Sequence, residues 1–273
     1  MKILYITNNL SGQDGWSRYS LDIARSLKDA EAWWLVANRS GVNFKQEAFL
    51  FEPLRYLSNI FLIFAGARKI NLAINNFSPE VIHFLVEPYL TMIPFLKTKG
   101  IKVVSTVHGT YSFLPKTARS SIGRIFLRWW MKFVYNRIDK IVAVSHFTKN
   151  YLIGCLNEYN FRNVSEKIMV ISNGVDFNNF RNEPGTKKPR LTKQILFVGA
   201  VKKRKGLAEA ISALKAYQER YLNDFVFNII GAYDAKDPYY LSLKSLVSLC
   251  QLDDKVIFKN KVDEATLRDF YAR

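Results

Sequence analysis

Cysteine, acidic charge and long apolar runs are all scarce in this sequence, and each shortage excludes something. The two cysteines, Cys155 and Cys250, lie far apart with no Cys or His beside them. Neither a zinc motif nor a redox pair can be built from them, and two buried free thiols in a reducing compartment are expected. The longest apolar block, 57–67, is too short to span a bilayer. The apolar run 3–6 behind Met1 and Lys2 is too short for the core of a secretory leader. A soluble protein, cytoplasmic or attached to the cytoplasmic face of a membrane, is therefore expected. Acidic residues number 23 against 40 Lys and Arg, which leaves a formal net charge of +17. Nucleic acid, anionic lipid and phosphorylated small molecules are the partners that fit such a charge. Nucleic acid fits worst, because no helix-turn-helix or zinc pattern occurs and the cations are not interleaved with aromatics on an exposed sheet. A dinucleotide glycine fingerprint is also missing, and no Ser–His–acid set follows from spacing.

What is present is a globular α/β pattern. The chain has 273 residues, 49% of them hydrophobic and 14% aromatic, enough for one large domain or two modest ones. Short apolar runs at 3–6, 33–37, 81–85, 102–107, 140–144 and 167–171 alternate with helical patterns. Those patterns fall at 17–27, 53–76, 87–97, 121–138 and from Ser145 or His146 onward. Residues 183–193 are rich in Pro, Gly, Lys and Thr without apolar periodicity and read as a linker. Beyond it come strands at 194–198, 225–230 and 255–258, each followed by a helix, at 207–221, 238–250 and 263–272. Such alternation predicts parallel sheets covered by helices, in two units. Domains are expected at 1–182 and 194–273, the second incomplete.

Ligands in such folds bind at loops following the strands. Residues 8–15 form a polar glycine loop in which Gly15 permits close backbone approach. His108, beside Gly109 at a strand end, is placed either to meet a ligand oxygen or to bond within its own loop, whereas His83 reads as structural. Ser145 suits a helix N-cap. Asn173-Gly174 suits either a tight turn with positive φ or the closing of a cleft. At 199–206, Gly199 is followed by Lys202, Lys203, Arg204 and Lys205, and Gly206 opens a helix. These are the parts of an anion site, or of a solvated basic loop. In the helix 121–138, Arg124, Arg128 and Lys132 share a stripe while Trp129 lies with the apolar residues. That pattern fits an anionic membrane surface, or a core-facing helix with a basic back.

Together these segments resemble the family 4 glycosyltransferases of the GT-B fold. Gly15-Trp16-Ser17-Arg18-Tyr19 after the first strand is similar to the family's first glycine loop. Pro79-Glu80-Val81-Ile82-His83, Thr106-Val107-His108-Gly109 and the strand end 142–145 follow in the family's order. So do Asn173-Gly174-Val175-Asp176 with Phe180, and Phe197-Val198-Gly199 through Lys205-Gly206. The resemblance implies two Rossmann-like doubly wound domains and a retaining transfer of sugar from a UDP- or GDP-linked donor, without a cofactor or metal. A saccharide or lipid-linked acceptor in cell-envelope glycan synthesis is implied as well. By position, Lys205 would contact the diphosphate, with Gly199, Arg204 and Gly206 around it. Gly15 would lie near the donor phosphate or sugar, and His108 would act as the catalytic-site contact to the donor sugar. Three departures stand out. Asp14-Gly15 replaces a glycine pair, Ala200 replaces an arginine, and the family's paired glutamates are expected only beyond Arg273. The second expectation, from a different class, is an inactive truncated remnant with a basic binding surface.

Overall fold

The computed structural model describes residues 1–273 except 28, 54, 56–58, 110–120, 159–160, 162–163, 176–191, 222–223 and 273; the side chains of 121–128 are also outside the description. The described chain divides into two units, Met1–Gly174 and Val175–Arg273. The expected linker lies outside the described residues as far as 191, and Lys193 already belongs to a strand.

In the first unit the strands are β1 (Lys2–Ile6), β2 (Glu31–Val36), β3 (Gln46–Ala48), β4 (Val81–Phe84), β5 (Lys102–Val107), β6 (Lys140–Ala143) and β7 (Ile168–Val170). They form one sheet in the order β3-β2-β1-β4-β5-β6-β7, with every pair parallel. Helices α1 (Gly15–Ser26), α2 (Ile60–Phe77), α3 (Ser121–Asn136) and α4 (His146–Glu158) connect them. Alternation along β1 explains why both sheet faces are covered. Leu4 and Ile6 join one apolar cluster with Trp33, Ile82 and Tyr89. Ile3 and Tyr5 join another with Leu10, Trp34 and Val36. A strand buried on both faces reads as a continuous apolar run, as Ile3-Leu4-Tyr5-Ile6 does. Strand order reverses around β1, which pairs β2 on one side and β4 on the other. That reversal opens a crevice at the carboxyl ends of β1 and β4.

The second unit holds β8 (Lys193–Val198), α5 (Leu207–Tyr221), β9 (Phe225–Ile230), α6 (Pro238–Leu249), β10 (Val256–Lys259) and α7 (Glu264–Ala272). Its parallel sheet runs β10-β9-β8. Leu207, Ile211, Phe225, Ile229, Leu243 and Val247 make its core.

Four local expectations are corrected. Helix α2 begins at Ile60 rather than near Pro53, because the Asn59 side chain accepts from the Phe61 and Leu62 amides and caps it there. Residues 87–95 form a 3-10 helix rather than an α-helix running to Lys97. Pro94, inside the helix, removes a backbone donor and disfavours the α ladder, whereas Pro88 sits in the first turn where it does not. The three-residue strand β3 was too short to register as an apolar run. Finally, Cys155 is buried but Cys250 is only partly so.

Candidate functional site

At the crevice of the first unit, the loop after β1 is tied to its own helix. Asp14 caps α1, its carboxylate accepting from the Trp16 and Ser17 amides, each at 3.0 Å. The Ser17 hydroxyl accepts in turn from the Asp14 amide at 3.0 Å, completing a capping box. Asn8 donates to the same carboxylate at 3.3 Å. Gly15 is therefore the first helical residue, exposed, with open space where a Cβ would stand. Two amide donors at this helix end are already occupied by a negative charge of the chain itself.

Beyond β4 lies a residue the sequence reading passed over. Glu87 is only 4% exposed, and one oxygen, Oε1, accepts from the His108 amide at 2.7 Å and the Gly109 amide at 3.1 Å. Burial pushes its carboxyl up to about 7, with those backbone donors opposing the shift. One signal was available in the sequence. Glu87 is the only charged residue in the otherwise apolar stretch 84–93, directly before Pro88.

His108 follows β5, and its ring packs edge-on against Tyr19 with centroids 4.6 Å apart. Burial pulls its pKa down to about 4, against a hydrogen bond to the Leu85 backbone. Nε2 is buried and has no partner among the described residues, so the Leu85 bond belongs to Nδ1. The ring is thus neutral at pH 7, with Nε2 as an acceptor lone pair. Such a nitrogen can take a hydrogen bond from a hydroxyl. His83 instead bonds the Thr106 hydroxyl at 2.9 Å, and burial lowers its pKa to about 4, in keeping with a structural role.

Ser145 caps α4, accepting from the Thr148 amide at 3.0 Å. Asn173 and Gly174 are exposed at the end of the first unit. Gly174 is not among the glycines with positive φ, so the expected left-handed turn is not formed there. Helix α3 turns Met131, Val134 and Tyr135 into the core while Trp129, 55% exposed, and Phe133 face outward, their rings 4.5 Å apart. Lys132 is exposed between them; the side chains of Arg124 and Arg128 lie outside the described residues. The apolar side of this helix is thus split, because Trp129 and Phe133 do not enter the core.

In the second unit, β8 ends at Gly199, whose amide donates to the Ile230 carbonyl at 2.9 Å. β9 ends at Gly231, where an added Cβ would stand 2.0 Å from the Gly199 carbonyl oxygen. The two strand ends touch backbone to backbone. A single 3-10 turn, Lys203–Lys205, follows, closed by Gly206 in the left-handed region (φ 70°). All four cations 202–205 are exposed. Lys202 pairs with Asp237 at 3.6 Å, and Asp237 itself caps α6 through the Tyr239 amide. Lys203, Arg204 and Lys205 have no ion pair among the described residues. They sit at the start of the 15-residue helix α5, whose first amides have no intrahelical acceptor. Gly206 offers no side chain to cap them. Glu209 is the acidic residue of that first turn.

Among the described residues, no group of three His, Cys, Asp or Glu could hold a metal ion, and no helix is long and apolar enough to cross a membrane.

Two family models meet along the chain. Residues 14–179 match Glycosyltransferase Family 4, and residues 178–273 match Glycosyl transferases group 1. This chain belongs to Glycosyltransferase Family 4. It is a glycosyltransferase sequence of the GT-B type, and solved structures agree with that fold. A glycosyltransferase from Rickettsia africae superposes with a TM-score of 0.72 at 19% identity, covering 99% of this chain and 70% of its own. Anabaena Alr3699/HepE, in complex with UDP and glucose, gives 0.69 at 16% identity, covering 100% and 72%. The lipopolysaccharide outer core galactosyltransferase WaaB gives 0.63 at 15% identity, covering 98% and 70%. No curated protein matches the chain in sequence. The family 4 chain thus spans about 70% of the length of these structures.

Proposed function

We propose that this family 4 chain takes part in a retaining transfer of a sugar from a UDP- or GDP-linked donor to a polysaccharide or lipid-linked acceptor in cell-envelope glycan synthesis. In this reading 1–182 is the acceptor-side domain, 183–193 the linker and 194–273 part of the donor-side domain. The observation that carries it is the start of α5, where Gly206 has no side chain to serve as a cap and three cations have no ion pair among the described residues. A diphosphate supplies the negative charge favoured by a helix N-terminus and by the Lys203, Arg204 and Lys205 side chains. Lys205 would stabilise the negative charge that grows on the leaving diphosphate, work that needs no metal cofactor. Gly199 and Gly206 would let the phosphates approach the backbone. His108 would accept from a hydroxyl of the donor sugar, with Gly15 giving access beside it. The UDP and UDP-glucose complexes of Alr3699/HepE support a nucleotide-sugar donor.

An anionic membrane surface is the second partner in this reading. The exposed Trp129 and Phe133 flank Lys132, and Arg124 and Arg128 occupy the same helix. In this reading the protein is cytoplasmic and peripheral on the inner face of the plasma membrane. No nucleic-acid partner is proposed.

Calorimetric titration of the chain with UDP and GDP tests the donor reading. One nucleotide should bind, and Lys205→Ala should weaken it roughly tenfold or more, as expected for loss of a charged hydrogen bond. Lys202→Ala should change it little, because Lys202 is engaged with Asp237. Absence of binding to both nucleotides would favour the remnant with a basic binding surface.

A further inference from the structure

We propose that Glu87 is a positioning residue, its buried Oε1 setting the backbone of His108 and Gly109 so that the His108 ring is held against Tyr19 with Nε2 directed to a ligand. Three observations converge. The carboxylate is buried at the carboxyl end of β4 and accepts from two successive amides at the end of β5, 21 and 22 residues away in sequence. The imidazole those amides belong to is fixed on both sides, by the Leu85 backbone and by the Tyr19 ring. Among the described residues, the Nε2 atom of that ring has no hydrogen-bond partner. Without an acceptor at Glu87, two neighbouring part-buried backbone donors would lose their partner, and the strand end would move to bring them water. Glu87 does not touch the ligand in this account; it acts through the loop. The identity of that ligand as a donor sugar rests on the function proposed above, whereas the positioning does not.

The chain has three histidines, His83, His108 and His146, so imidazole NMR of the 15N-labelled protein resolves the question. In Glu87→Gln the amide oxygen still accepts from both N–H groups, and the His108 ring signals should stay at their wild-type positions. In Glu87→Ala the His108 ring signals should shift, and the His108 and Gly109 amides should exchange about tenfold faster or more. The His83 and His146 signals should stay put. His108 signals unchanged in Glu87→Ala would overturn the proposal. If that variant does not fold, Glu87→Asp decides: its carboxyl, drawn back by one methylene, should displace the His108 signals, and a spectrum identical to Glu87→Gln would overturn the proposal. Adding UDP-glucose to the wild-type protein separates the two claims. A His108 signal that does not respond, in a protein whose Glu87→Ala variant moves it, would sink the donor contact and leave the positioning standing.

Discussion

The two units repeat one local plan, a strand, a glycine-bearing loop and a helix, yet they treat the helix terminus in opposite ways. At α1 the anionic side chain of Asp14 fills two of the amide donors. At α5 the preceding residue is Gly206, which has no side chain, and three cations without ion pairs among the described residues stand in front of it. A helix N-terminus favours anions in both places, but in the first unit the anion sits at the cap position itself, whereas α5 has only Glu209 within its first turn. The comparison teaches that a glycine loop before a helix is not by itself a phosphate site. What decides is whether the donors are already occupied. It also assigns the loops different chemistry, a neutral imidazole acceptor in the first unit and cationic side chains in the second.

The sheets differ in the same sense. β1 is flanked by β2 and β4 and is buried from Ile3 to Ile6, whereas β8 pairs among the described residues with β9 alone and is half-buried from Gln194 to Phe197 with both ends exposed. Order reversal at β1 creates a crevice inside the first sheet. In the second, the close contact of Gly199 with Gly231 shapes the strand ends.

Breaking that contact should have the largest effect. Gly231→Ala would drive a Cβ into the Gly199 carbonyl at a backbone angle that L side chains rarely adopt. A loss of roughly 3 kcal/mol or more is expected, read as lowered thermal stability of the second unit with little change in the first.

Changing pH sharpens the contrast from the other side. His83 and His108, with folded pKa values near 4, remain neutral in the fold but titrate near 6.5 when unfolded. Their contribution is complete above about 6.5 and is lost as pH falls toward 4. Glu87 works the other way. Its folded value near 7 lies above its ordinary 4.5, so its contribution is complete below 4.5 and is lost as pH rises to about 7. Each group changes stability by at most roughly 1.4 kcal/mol per pH unit. Two rising terms against one falling term predict net stabilisation from pH 4.5 to 6.5 from these three groups. Glu87→Gln should steepen that rise, and urea unfolding at a series of pH values measures it. Within this cluster, on top of burial, His108 lowers His83 further, and Glu87 in turn raises the neighbouring Tyr135.

Smaller again is the cap. Asp14→Ala should cost about 1 kcal/mol in thermal unfolding, while freeing the Trp16 and Ser17 amides that the comparison holds to be blocked. If nucleotide affinity falls by more than that stability loss can explain, the division of labour between the two loops is wrong. Gly15→Ala should be smallest, within roughly 0.5 kcal/mol for an exposed position with room for a methyl group. A catalytic defect in a variant that folds normally would mark Gly15 as a point of ligand access.

The sequence by itself determined the strand–helix alternation, the helix 207–221 and the loop of four cations. These rest on local periodicity, on turn residues and on charge that a reader of the chain can see directly. It also carried the order of motifs that matches the family. Boundaries went astray where one side chain overrode the periodicity, as Asn59 did at the start of α2, or where Pro94 opposed an expected α-helix and 87–95 became 3-10. The site was readable only as separate loops. Tertiary structure alone decided that Glu87 reaches His108 and that His108 keeps Nε2 bare. It also decided that Lys202 is spent on Asp237, whereas the Asp14 capping box is local to the sequence. The reason is physical. Periodicity is a property of neighbours in sequence, but the protonation of an imidazole and the occupancy of an amide depend on groups brought within 3 Å by folding.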